Sequence, residues 1–175
     1  YKRQILALIA RLLVTGCLHE DGLADFFDGF GGGTTRERTL AIMKDSHIGS
    51  YGVIGLICYF LLLFQLHHLP LGLLCILVLS GDCWSKFCAS QIVNYLPYAR
   101  KEEDSKSKTV YNRMSRHELL AGFLCGLLPF VLLLPIKLWI ATLFPLLTFF
   151  LLYRLMKRRL QGYTGDCCGA TFLLC

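Results

Sequence analysis

The residues best suited to chemistry lie in one run, His19-Glu20-Asp21-Gly22-Leu23-Ala24-Asp25-Phe26-Phe27-Asp28-Gly29. On a helix, Asp21, Asp25 and Asp28 stand at i, i+4 and i+7, within ~60° of one another at about 100° per residue. Three carboxylates on one face repel, and at the edge of a bilayer each also carries a desolvation cost. The pattern therefore calls for a cation, and hard oxygen donors favour Mg²⁺ or Mn²⁺ over zinc. Gly22 and Gly29 follow the aspartates on nearly the same face, which leaves room for another backbone or a bulky substrate. A merely solvated acidic helix end needs neither the alignment nor the glycines. His19 is a candidate base or a partner behind the ligands, against the plainer reading of a helix-end histidine bonded to backbone.

Three further polar clusters repeat the theme. Gly29-Phe30-Gly31-Gly32-Gly33 runs into Thr34-Thr35-Arg36-Glu37-Arg38, where Thr34 and Glu37 have capping-box spacing. A glycine-rich turn feeding a helix N-terminus offers N–H donors to phosphate, and Arg36 and Arg38 add bidentate contacts. A flexible turn is the alternative. In Met43-Lys44-Asp45-Ser46-His47-Ile48-Gly49-Ser50-Tyr51-Gly52, helical spacing puts Asp45, Gly49 and Gly52 on one face. Asp45 then adds a fourth carboxylate, if its helix is an antiparallel neighbour of the first. Gly162 to Ala170 brings a fifth candidate, Asp166.

The elements that hold these residues belong to a membrane. The chain is 175 residues long, 55% hydrophobic and only 17% charged. Crossing a hydrocarbon core of roughly 30 Å takes about 20 mostly apolar helical residues. Candidate spans are Ile5 to Leu18 continuing as helix to Phe30, Gly49 to Leu66, Leu71 to Leu96, Leu119 to Pro135, Leu138 to Met156, and a sixth starting at Gly169. The expected architecture is an all-α polytopic helix bundle of about six segments, one membrane-embedded domain over residues 1–175. A secreted disulfide scaffold, a disordered chain and a free nucleic-acid-binding domain are excluded. The start at Tyr1 and the end at Cys175 inside a new apolar run suggest part of a longer chain. Of the nine cysteines, Cys17, Cys58, Cys75, Cys83, Cys88 and Cys125 sit singly in apolar runs and read as small hydrophobes.

Charge sets the orientation. Arg36, Arg38 and Lys44 fall in the first loop, Arg100, Lys101, Lys106, Lys108, Arg113 and Arg116 in the third, and Arg154, Lys157, Arg158 and Arg159 in the fifth. The positive-inside rule makes these loops cytoplasmic, so much of the net +6 is topological. Asp82 lies about 16 Å along its helix from Leu71, near the midplane, where an acid is either functional or paired, here with Lys86 at i+4. His67 and His68, on the opposite side from the acidic motifs, read as interfacial.

HEDGLADFFDG, IMKDSHIGSYG, PYAR (Pro97 to Arg100) and TGDxxGA (Thr164 to Ala170) together resemble the adenosylcobinamide-GDP ribazoletransferase family, also called cobalamin synthase. The resemblance covers nearly the whole chain in order. It departs at Lys86, where arginine is more usual, and in the longer charged stretch Lys101 to Lys108. What it implies is a Mg²⁺-dependent transfer at the cytoplasmic face of a bacterial inner membrane. There the hydroxyl of α-ribazole, or of its 5′-phosphate, attacks the phosphate joining adenosylcobinamide to GMP, and GMP leaves. Asp21, Asp25, Asp28, Asp45 and Asp166 are then the expected metal ligands, with Asp45 and His19 the catalytic candidates. Arg36, Arg38, Lys44 and Arg100 become candidates for binding pyrophosphate or nucleotide. A homo-oligomer or a complex with other cobalamin-assembly enzymes is a further expectation. A CDP-alcohol phosphotransferase or a membrane prenyltransferase shares the aspartate-rich helices but not all four motifs, and a cation- or proton-coupled transporter is the reading from another class.

Overall fold

The computed structural model describes residues 2–100 and 112–175, apart from the side chains of residues 2–4, 7 and 67. The charged stretch Lys101 to Lys108 lies outside them. Within them the chain is all-α. Helix α1 covers Lys2–Thr15 and α2 covers Leu18–Gly32. The expected continuous helix through this region is broken at Gly16 and Cys17, both left-handed, with φ of 60° and 57°. Gly16 N–H returns to Leu13 O at 3.3 Å and Cys17 N–H to Leu12 O at 3.0 Å. This pair of bonds is a Schellman stop with glycine at the position where a side chain is disfavoured.

Next come α3 (Arg36–Lys44), α4 (Ser50–Gln65) and a 3₁₀ turn, Leu66–His68, that ends before Pro70. Thr35, not Thr34, caps α3 by accepting from Arg38 N–H at 3.2 Å. Gly31 and Gly32 belong to α2 rather than to a turn. Helix α5 is Leu71–Ser90, followed by the short α6 (Ile92–Tyr95). Helix α7 (Arg116–Leu133) starts at a Ser115–Glu118 capping box. The hairpin expected at Pro135-Ile136-Lys137 is longer than a tight turn: Ile136–Thr142 is a 3₁₀ segment leading into α8 (Leu143–Arg159). Helix α9 (Gly165–Leu174) is capped by Thr164, whose hydroxyl accepts from Cys167 N–H at 3.3 Å.

Among the described residues three stretches, 71–95, 116–133 and 136–159, are long and apolar enough to cross a bilayer, and α4 and α9 are shorter apolar helices. Side chains such as Leu62, Leu132, Ile140 and Phe144 point outward, unburied. In a chain this apolar, that face meets lipid.

Helix α2 is central and packs on α3, α4 and α9, while α5 packs on α7 and α9. Leu23 and Phe26 of α2 meet Met43, Ile92, Leu96, Met156, Leu160 and Tyr163 in one core. Trp84, Cys88, Phe130 and Leu134 make a second between α5 and α7. The polar loops are stitched together at one end. Ala99 N–H donates to Tyr163 O at 2.8 Å and Tyr163 N–H to Pro97 O at 3.0 Å. Arg159 donates to Phe30 O and Gly33 O at the end of α2. The loops that charge alternation groups together are therefore neighbours in space.

Candidate functional site

The face expected to present Asp21, Asp25 and Asp28 together is formed by α2, but it is stretched between two cavities. Seven residues of helix advance about 10 Å, too far for the end carboxylates to share one ion. Among the described residues no cluster of three or more potential metal ligands forms. Asp21 is exposed and lines a cavity of about 590 Å³ with His19, Lys86, Tyr98, Arg100 and Asp166. Asp28 lines another, of about 560 Å³, with Arg38, Asp45 and His47. Asp25, half-buried, stands one turn from each.

In the first cavity, α2 and α9 run closely side by side. A Cβ on Gly22 would come within 3.1 Å of Asp166 Cα, so glycine lets the two acidic segments touch. Arg100 donates to Asp166 Oδ2 at 3.4 Å, with their side chains only 6% and 15% exposed. Thr164 Oγ1 donates to the same oxygen at 3.2 Å. The Nε of Arg100 is buried with no hydrogen-bond partner among the described residues, and so is Oε2 of Glu20. Glu20 sits inside the first motif, yet sequence reasoning gave it no role. Burial is not written in residue type, so the sequence carries no signal for it. His19 packs edge-on against Phe172 at 4.8 Å between centroids.

In the second cavity, Asp28 has a structural task. It is 6% exposed, accepting from Gly49 N–H at 2.7 Å and from Gly52 N–H at 2.9 Å. Gly49, the N-cap of α4, has no side chain to cap with, so a carboxylate from α2 does it. Neither glycine tolerates a Cβ, which would run into the Asp28 carboxylate. The single helical face expected for Asp45, Gly49 and Gly52 does not exist, because residues 45–49 are not helical. Asp45 instead ends α3 and reaches the cavity from there. Its Oδ1 bonds the Nδ1 of His47 at 2.7 Å and accepts its N–H at 3.1 Å. These bonds hold Asp45 below the usual carboxylate range and raise His47 above its ordinary value. His47 was not singled out in the sequence, although the spacing Asp-x-His is its signal.

Two sequence expectations change their meaning. Arg36 is a clamp: its Nε donates to Leu160 O and its Nη2 to Ala99 O, each at 2.8 Å. It binds three loops together rather than facing a ligand. Asp82 pairs with Arg11 of α1 at 3.4 Å, where i+4 spacing pointed to Lys86. Lys86 lies over the Phe172 ring, 5.2 Å from its centroid. Lys44 is exposed beside Asp45 at the end of α3.

The donors are chemically apt for a hard cation. Mg²⁺ is commonly held by one or two carboxylates with phosphates and water completing the shell. Two carboxylates on one cavity lining with a basic group alongside, as Asp21 and Asp166 have with Arg100, fit that requirement.

The family described as Cobalamin-5-phosphate synthase matches residues 2–175. A protein of Shewanella amazonensis named adenosylcobinamide-GDP ribazoletransferase is 44% identical over 181 residues, covering 95% of this chain and 66% of its own. Relatives of the same name occur in Shewanella sp. strain W3-18-1, at 41% identity over 98% of this chain and 67% of theirs, and in Vibrio parahaemolyticus, at 38% over 95% and 63%. The chain thus spans about two thirds of the length of the curated relatives it matches. No solved structure matches it.

Proposed function

The chain belongs to the Cobalamin-5-phosphate synthase family, and from that premise we propose that it carries a Mg²⁺-dependent transfer between adenosylcobinamide-GDP and α-ribazole or its 5′-phosphate. The ribazole hydroxyl oxygen bonds to the phosphorus nearest the cobinamide, the bridge to the second phosphorus breaks, and GMP departs. The observation that carries this reading is that acids and cations line both cavities together: Asp21 and Asp166 with Arg100 and Lys86, Asp28 and Asp45 with Arg38. Phosphoryl-type transfer is mainly positioning and charge stabilisation, and needs both kinds of group side by side.

Each residue then has a definite task. Asp21 and Asp166, on one cavity lining, would hold the cation. When bound, Mg²⁺ polarises phosphoryl oxygens and offsets the charge that develops on them. Asp28 fixes the start of α4 and through it the wall of the second cavity. Of the two candidate bases, His19 shares the first cavity with Asp21 and Asp166 and would take the proton of the attacking hydroxyl, whereas Asp45 is paired with His47 in the second. Arg38, Lys44 and Arg100 meet the phosphates, and Arg36 keeps the three loops in register. The basic loops support the cytoplasmic side of a bacterial inner membrane for this end, by the positive-inside rule.

The test is turnover by the full-length protein in detergent or nanodiscs with adenosylcobinamide-GDP, α-ribazole and Mg²⁺, following GMP and cobalamin. GMP release that depends on metal is expected, and Asp21→Asn is expected to abolish it while the protein stays folded. No GMP above a chelated control overturns the reading.

A further inference from the structure

Helix α9 begins on the wall of the larger cavity, with Gly165 and Asp166 both lining it. Its ten residues are long enough to direct a partial positive charge and amide donors toward that space. A helix end alone is a weak signal, but three observations converge on it. Arg100, on the same cavity, has a side chain only 6% exposed, and its Nε has no hydrogen-bond partner among the described residues. Lys86, on α5, is a second cation on that lining. Gly165 is the third: a Cβ built there would meet nothing within 4 Å, unlike Gly22 or Gly162, which are packed against backbone. Neither packing nor a positive φ asks for glycine at this position.

We propose that the first turn of α9 and Arg100 form the seat of a phosphate oxyanion of a soluble diphosphate ester, with Lys86 as the second cation and Gly165 left bare for the ligand's approach. The site deepens the transfer reading above by naming the cavity that takes the diphosphate. Asp21 and Asp166 share the lining, so the oxyanion settles on the basic side. Asp166 already receives Arg100 Nη2 and the Thr164 hydroxyl, whereas Arg100 Nε has no partner among the described residues. Val93, Tyr98 and Phe172 line the same space and give the organic part of the ligand an apolar and aromatic surface. The second cavity holds one arginine, Arg38, against Asp28 and Asp45, and is the weaker seat for an anion.

The experiment is calorimetric titration of the full-length protein in maltoside micelles with GDP, and separately with inorganic phosphate, in Mg²⁺. Removing a charge-assisted donor by Arg100→Gln is expected to weaken GDP about tenfold or more. Gly165→Ala adds a methyl where the fold has room, so thermal stability should hold while GDP binding falls about fivefold or more through crowding of the ligand. Gly72→Ala, another glycine with open space around it but away from the cavity, serves as the control and should bind as wild type. Equal GDP affinity in wild type, Arg100→Gln and Gly165→Ala overturns the proposal, as does wild type that binds neither probe. A response only to phosphatidylglycerol added to the micelles also overturns it, because the occupant is then a lipid headgroup. The two readings fail separately. Turnover with an unchanged KM in both variants removes this seat and keeps the transferase, whereas GDP binding lost in the variants without any turnover keeps the seat and removes the transferase.

Discussion

Asp28→Asn separates two roles that the sequence runs together, ligand of a cation and cap of a helix. The carboxylate is 6% exposed and takes two backbone donors of α4, at 2.7 Å and 2.9 Å. Asparagine keeps the shape but has one acceptor oxygen, so one of the two N–H groups then faces an NH₂. Hydrogen bonds to a charged group are worth about 1.5–3 kcal/mol each and neutral ones about 1. Two of the first kind are replaced by one of the second, and the favourable charge at the α4 N-terminus is lost as well. The expected destabilisation is about 2–5 kcal/mol. Reversible SDS titration of the full-length protein in maltoside, read by tryptophan fluorescence, measures it, with turnover assayed on the same samples. A variant within about 0.5 kcal/mol of wild type that has nevertheless lost turnover would refute the capping argument and return Asp28 to the metal. Loss of stability that stays after Mg²⁺ is chelated from both proteins is the outcome the hydrogen bonds require.

Arg36→Lys should destabilise by about 1.5–3 kcal/mol, because an ammonium cannot reach both Leu160 O and Ala99 O as the fork does; the same SDS titration reads it, and an unchanged midpoint removes the clamp. The Arg11–Asp82 pair is 23% and 35% exposed, so a double-mutant cycle with Arg11→Gln and Asp82→Asn should return a coupling of about 1 kcal/mol or less. A coupling near zero, with Lys86→Gln coupling to Asp82→Asn instead, restores the i+4 pair. In Asp45 and His47 the hydrogen bond lowers the carboxylate and raises the imidazole. The carboxylate's contribution is present above its ordinary value of 3.8 and lost as pH falls through its lowered folded value. The histidine's contribution is present below its ordinary value of 6.5 and lost as pH rises through its raised folded value. The pair is thus intact between those two values, and Asp45→Asn should bring the His47 titration followed by NMR back down toward 6.5. No movement means the two residues do not pair in solution.

Much of this was legible in the chain because it depends on local composition. Long apolar runs have one stable answer in lipid, a helix, and the alternation of basic loops sorts their ends. The motifs with acids and glycines were visible for the same reason, since charge is costly in such a chain and each aspartate stands out. Missed was the break at Gly16 and Cys17, although Gly16 is a stop signal readable in sequence. The apolar run across it looked continuous.

The sequence by itself determined a helical membrane protein with its acidic, glycine-bearing motifs gathered at one end, because hydropathy, spacing and charge act within a helical turn or a single loop. Only the tertiary structure decided what each charge faces. Asp28 became a cap because α4 begins beside it, Arg36 a clamp because Leu160 and Ala99 present their carbonyls to it, and Asp82 a partner of Arg11 because the fold brings α1 within 3.4 Å of it. Those pairings join residues far apart in the chain, and the energy of a charge depends on what surrounds it in space.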